Sequence, residues 1–198
     1  NDKKSVNLIQ KELVKNKSPE VLTALIYWLG ENQPDNTASL LTKHINSPNK
    51  TVQKAVTQSL VKVGGEKSML ALASLLKSDD KATVGLAKNA LMSYDGEISY
   101  TLASVFDDSN STGKKAILDL IANRKMNNQY NLVFNQMFSD DDEIKAVAAN
   151  TLKDVSTNEN LTDLFGLLEH SESDFIPAIQ QAINAALKYI PVDEQTDL

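Results

Sequence analysis

The residues that could do chemistry are few and scattered. Two histidines, His44 and His170, stand alone, followed by Ile45 and Ser171. With no cysteine in the chain, thiolate zinc or iron–sulfur sites, a cysteine nucleophile and a disulfide framework are excluded. Two isolated imidazoles do not supply the ligand set of a metal centre, so His44, set among apolar anchors, reads as a partly buried structural histidine. Acidic residues cluster at Asp79–Asp80, Asp107–Asp108, Asp140–Glu143 and Glu172 with Asp174. Calcium would need an Asp-x-Asp-x-Asp-Gly loop with a glycine at its sharp bend, and none is present. The same acids suit helix N-termini, where a side-chain oxygen accepts from free backbone N–H groups and a negative charge meets the positive end of the helix dipole. No glycine-rich phosphate loop, nucleophile elbow or triad spacing appears. No metal or cofactor is therefore expected, and no catalytic residue is assigned.

The elements that would position any site follow from a repeat. Ile9, Leu41, Leu72, Leu102, Val133 and Leu164 recur at intervals within about one residue of 31. Leu13, Ile45, Leu76, Phe106, Met137 and Leu168 follow four residues on in each case. A further column reads Val21, Val52, Val84, Gly113, Ile144 and Phe175, and three residues later come Ala24, Ala55, Ala87, Ala116, Val147 and Ala178. Each unit reads as a short helix with apolar residues at i, i+3 and i+4, as in Leu72, Leu75 and Leu76, followed by a longer one. Val52, Ala55, Val56, Leu60 and Val63 mark the apolar stripe of such a longer helix. Polar turns separate the two at Asn16–Pro19, Asn46–Asn49, Ser78–Lys81, Asp107–Thr112, Ser139–Glu143 and Ser171–Asp174. Gly30, Gly64–Gly65 and Gly96 are expected at or just past helix ends, where a left-handed residue closes the last turn. Pro34 and Pro191 are expected to stop helices. The small third column lets neighbouring helices approach to about 8–9 Å. One such pair cannot bury both of its stripes, so the pairs must stack.

The pattern Val-x-x-Ala, then Leu and Gly, resembles HEAT-like repeats. Val52, Ala55, Leu60 and Gly64 carry it most fully, and Val84, Ala87 and Leu91 carry it next. The short period looks like the HEAT-like variety of phycobilisome-lyase-type proteins, and the resemblance covers roughly residues 5–190. It implies an all-α, right-handed α-α superhelix, an α-solenoid of about six two-helix repeats. A single repeat domain over 1–191 is expected, with 192–198 a polar tail or the start of a linker. Enzymes of this fold are known, so the resemblance sets further tests. Its di-iron hydroxylases use repeated His-Glu pairs, absent at His44 and His170. Its alkylpurine DNA glycosylases need a basic groove. Its bilin lyases need a chromophore pocket, for which the sequence carries no mark.

In HEAT-like solenoids the second helices line the concave side. Six residues past each second-helix anchor lie Tyr27, Gln58, Ala90, Asp119, Asn150 and Gln181; two residues past it lie Thr23, Lys54, Leu86, Lys115, Ala146 and Pro177. These rows would form a shallow track on the order of 50–60 Å long. Tyr27, Lys54, Gln58, Lys115, Asp119, Asn150 and Gln181 are its candidate protein-binding residues. Net charge is −6, and Arg124 is the only arginine. That balance argues against a phosphate backbone as partner, so nucleic acid is not expected. No run approaches the roughly 18 apolar residues of a membrane span, so no membrane insertion is expected.

The ends of the array differ. Val21 to Leu29 is apolar nearly all round, so either the preceding helix near Ser5–Lys15 covers it, with Trp28 as core, or something outside the chain does. Gln180, Gln181, Asn184 and Lys188 give the last helix a polar side, as a cap would. The chain begins at Asn1 without Met, which reads as a processed or excised segment. The leading expectation is a non-catalytic scaffold that holds a protein or an adjacent domain of the same polypeptide. An accessory module of a larger bacterial envelope enzyme, for instance a sugar-active one, is the alternative, with an extracytoplasmic location. A self-contained enzyme on a HEAT-like fold is the third.

Overall fold

In a computed structural model, residues 3–16 and 18–189 are described. Pro191 and the tail 192–198 lie outside them. Twelve α-helices and no strand occur among the described residues. They follow as six pairs: α1 (Lys3–Lys15) with α2 (Pro19–Asn32), α3 (Thr37–Thr42) with α4 (Lys50–Val63), α5 (Gly65–Ser74) with α6 (Lys81–Met92), α7 (Ser99–Phe106) with α8 (Ser111–Asn123), α9 (Tyr130–Asn135) with α10 (Asp142–Val155), and α11 (Leu161–His170) with α12 (Ile176–Leu187). The all-α, HEAT-like fold class read from the sequence is the one observed. The chain divides into two compact units, residues 1–101 and 102–198.

Within each unit second helices stack on second helices: α2 on α4 and α4 on α6 in the first, α8 on α10 and α10 on α12 in the second. Capping sets where they start. Ser18, Asn49, Asp80, Asn110 and Asp141 each precede a second helix, and each side chain accepts from backbone N–H groups of its first turn. From these caps the deepest column can be counted off: Leu29, Leu60, Leu91, Ile121 and Leu152 all lie eleven residues past their caps and are all fully buried. The last pair departs from the rule, because α12 follows Phe175, whose side chain caps nothing. The shorter first helices of two pairs finish in tight 3-10 turns at Leu75–Lys77 and Gln136–Phe138. Leu41, Leu72, Leu102, Val133 and Leu164 from the first apolar column are fully buried.

Some expectations need correcting. Ala24 is exposed and Val21 is 39% exposed. As the terminal second helix of its unit, α2 has a second helix stacked on the α4 side alone, with only the first helices α1 and α3 against it besides, which leaves Trp28 half-buried. In the second unit Ile117, Ala148 and Ile179, one residue later than the expected Ala116, Val147 and Ala178, are the fully buried ones. Val56, Ala87, Ile117 and Ala148 all lie seven residues past their caps and are fully buried, whereas Ala116 and Val147 lie six past theirs. Gly30 does not end a helix. It lies buried inside α2 where the backbone meets α4, and Gln33 is the left-handed residue that closes α2, just before Pro34. Gly64 and Gly65, with φ of 67° and 77°, do take the left-handed turn between α4 and α5.

The α2–α4 contact leaves no room for a methyl group. A Cβ on Gly30 would stand 2.7 Å from the Ser59 Cβ, and Ser59 Oγ already donates to the Ile26 carbonyl at 3.2 Å. Gly30→Ala is expected to lower unfolding stability by about 1–3 kcal/mol, as overpacked cores do. Gly85→Ala in α6, where an added Cβ meets nothing within 4 Å, should instead raise it by about 0.5–1 kcal/mol. Urea unfolding monitored by circular dichroism reads both; equal effects of one sign would contradict this packing. Asn49→Ala should cost about 1 kcal/mol by removing a cap from α4.

Candidate protein-interaction face

The cap register shows which residues each second helix turns away from its core. Nine residues past the caps lie Tyr27, Gln58, Asn89, Asp119 and Asn150. The column counted from apolar anchors has Ala90 in third place, but Ala90 is 8% exposed and Asn89 is the outward residue. Asn89 was missed because the Val84 anchor lies one residue out of phase with its cap. The spacing of Ser18, Asn49, Asp80, Asn110 and Asp141 is the signal in the sequence that would have found it.

In the first unit a groove of about 380 Å³ runs between α4 and α6, lined by Lys54, Gln58 and Val61 on one side and Leu86, Asn89 and Ser93 on the other. Tyr27, on α2, donates from its hydroxyl to Gln58 Oε1 at 2.8 Å, which ties the outward faces of α2 and α4 together. Lys54 and Asn89 make no side-chain hydrogen bond or ion pair among the described residues. In the second unit one groove of about 430 Å³ lies between α8 and α10, with Asp119, Asn123, Asn150 and Thr151 in its walls. A second, of about 540 Å³, lies between α10 and α12 and includes Gln181 and Asn184. Asn123 and Asn150 each donate an amide N–H to the backbone carbonyl four residues earlier, at 2.8 and 2.9 Å, leaving the amide oxygens outward. Lys115 is differently placed. It pairs with Glu143, one repeat on, at the solvent-facing N-terminal edge of the second helices.

That N-terminal edge is a polar ladder. Asp80 caps α6 through the N–H groups of Ala82 and Thr83 and also accepts from Lys50, one repeat earlier. Lys50 donates as well to Thr83 Oγ1 at 2.6 Å and Gln53 Oε1 at 3.1 Å, and Gln53 Nε2 reaches the Ile45 carbonyl at 3.0 Å. Lys145 continues the pattern in the second unit, 3.6 Å from Asp142 and 3.9 Å from Glu172. Among the described residues no three His, Cys, Asp or Glu side chains gather where they could hold a metal ion. His44 is half-buried, and burial, with Lys43 nearby, lowers its pKa from the ordinary imidazole value. His170 is exposed, its Nδ1 2.9 Å from the Gly166 carbonyl. No helix among the described residues is long and apolar enough to cross a membrane.

The two capping aspartates should show in the acid limb of stability. The Lys50 ammonium and Thr83 hydroxyl hold Asp80 below the usual carboxylate range, and Ser111 and the Ile144 N–H do the same for Asp141. A carboxyl whose pKa is lower folded than unfolded contributes stability above its unfolded value, near 4, and loses it as pH falls through the folded one. Asp80→Asn with Asp141→Asn keeps a capping oxygen but removes the titration. The fall in urea midpoint below about pH 4 should therefore be shallower in the double variant than in the parent; identical pH profiles would contradict the ladder.

Residues 6–92 match the family of HEAT repeats. No curated protein matches the chain. Among solved structures, it is similar to Cex1p, with a TM-score of 0.58 and 13% identity over 96% of this chain and 43% of that one. The chain thus spans less than half the length of Cex1p, and at this identity the likeness is one of fold alone. Two crystal structures of engineered proteins align with TM-scores of 0.47 and 0.48 at 16% and 17% identity. They cover 93% and 91% of this chain, and 97% and 57% of their own. Residues 6–92 are thus similar to HEAT repeats, and helix pairs capped at the same steady interval continue beyond them among the described residues.

Proposed function

We propose that the chain is a non-catalytic scaffold that holds a protein, or a neighbouring domain, against the outward face of its second helices. The observation that carries this reading is the contrast between that face and the rest of each unit. Polar side chains at the helix starts are committed to caps and inter-repeat bonds, whereas Lys54, Asn89 and Gln181 border open grooves with their side-chain hydrogen-bonding groups unspent among the described residues. Amides, a lysine and a tyrosine beside small apolar side chains such as Ala90 and Ala185 suit a peptide or protein surface, which offers N–H, C=O and aliphatic groups together. In the α4–α6 groove Lys54 is the one titratable side chain of the lining, which gives little means of shifting a pKa for acid–base work.

Partner binding decides the matter. With the purified chain as bait, the captured partner is identified and its affinity measured for two sets of variants. Alanine at Tyr27, Lys54, Gln58 and Asn89, or at Asp119, Asn150 and Gln181, should weaken binding by about tenfold or more for at least one set. Alanine at the exposed first-helix residues Leu70 and Phe138 should leave it within about twofold, since surface changes away from a contact are nearly neutral. The reverse pattern overturns the proposal.

A further inference from the structure

The described lysines differ in whether a carboxylate answers them. Lys50, Lys62, Lys115 and Lys145 each have a carboxylate partner, in Asp80, Glu31, Glu143 and the pair Asp142 and Glu172 respectively. Lys125, Lys153 and Lys188 do not. They stand at the C-terminal ends of α8, α10 and α12 and line one cavity of about 540 Å³ with Asp154, Gln181, Asn184 and Tyr189. None of the three makes an ion pair or side-chain hydrogen bond among the described residues. Helix C-termini attract lysines, but the partial charge of a few free carbonyls does not neutralise three ammonium groups. Asp154 is the one carboxylate in that lining. Among the described residues, a chain of net charge −6 thus sets three lysines beside one carboxylate at one end of a groove.

From this geometry we infer that the groove of the second unit takes a short acidic peptide segment, its carboxylates set against Lys125, Lys153 and Lys188. This rests on the second-helix face being the binding face, and names the chemistry of what binds there. Two features favour a peptide over a free anion. The lysine-lined cavity adjoins the α8–α10 groove, with Lys125, Lys153 and Asp154 common to both, so the site is elongated. Past the lysines its walls carry the amide oxygens of Asn123 and Asn150, which match main-chain amides rather than further charge. Asp119 at the far end would repel a second acidic run. The segment expected is therefore acidic at one end only. A nucleic-acid strand, charged along its whole length, would meet Asp119 and the acidic remainder of the chain.

The test uses the full chain and a dye-labelled peptide of three glutamates followed by Gly-Ser-Gly-Ser, read by fluorescence anisotropy. A peptide with three lysines in place of the glutamates is the control. The acidic peptide should bind, the lysine peptide should not, and raising NaCl from about 50 to 300 mM should weaken binding severalfold. Lys125→Gln, Lys153→Gln and Lys188→Gln together should reduce affinity by about tenfold or more, whereas the three Lys→Arg changes, which keep the charge, should hold it within about threefold. Circular dichroism melts establish that both triple variants are folded. Equal binding of both peptides, or undiminished binding to the glutamine variant, overturns the proposal. So does complete displacement by inorganic phosphate at concentrations matching the peptide, which would mark a small-anion site. If the peptide fails but the captured partner still depends on Asn89 or Asn150, only the acidic preference falls. A partner indifferent to every second-helix variant removes the reading beneath it.

Discussion

Each second helix begins at a residue whose side-chain oxygen accepts from the N–H groups of the first turn, and five of these residues, Ser18, Asn49, Asp80, Asn110 and Asp141, recur at nearly constant spacing. The rest of each unit depends on that bond because a helix has no freedom once its start is fixed. At 3.6 residues per turn, the cap decides which side chains face inward and which face out. Leu29, Leu60, Leu91, Ile121 and Leu152 are buried because they lie at one phase; Gln58, Asn89 and Asn150 are exposed because they lie at another. A shift of one residue in a cap would turn the helix by about 100° and carry the buried set out of the core.

Much of this was legible before any coordinates. The apolar columns of the first helices, the polar turns and the glycine pair at Gly64–Gly65 each rest on a local rule, and a local rule survives transfer from sequence to structure. Asp80 and Asp141 were readable as caps for the same reason. What escaped depends on relations between helices. Gly30 looks like a terminator by type, but its role is set by Ser59, one repeat away, against which no side chain fits. Ala24 looks like a packing residue, but no further second helix lies over that face of α2 among the described residues. Asn89 was hidden by an anchor chosen for being apolar rather than for its distance from a cap. On the candidate face, Gln58, Asp119, Asn150 and Gln181 follow from phase alone. The pairing of Lys115 with Glu143 and the gathering of Lys125, Lys153 and Lys188 could not, because long flexible side chains choose partners by proximity in the fold.

Charge is distributed by function within the helix rather than by the net value. At the starts of second helices acids cap and lysines of a neighbouring repeat answer them, so both signs are consumed internally. Exposed pairs of this kind contribute little individually, about 0–1 kcal/mol, but they align successive helices at one edge. At the opposite ends the capping need is for positive charge, and there Asp154 is the one carboxylate lining the cavity of Lys125, Lys153 and Lys188.

The double duty of Asp80 has a consequence for how such an array can be inherited. Asp80 serves α6 as its cap and α4 as the acceptor for Lys50, so the natural unit of duplication is not one helix pair but the segment that includes the preceding helix's lysine. Copying α5 and α6 alone would carry the cap and leave its cation behind. Where the cap is Asn49 or Asn110 it carries no charge to answer, and pairs beginning there can be shuffled without that loss. Recombination breakpoints ahead of amide caps would therefore be the ones that persist, and the mixture of Ser, Asn and Asp caps along this chain bears on where a lineage of repeats can lengthen or shorten.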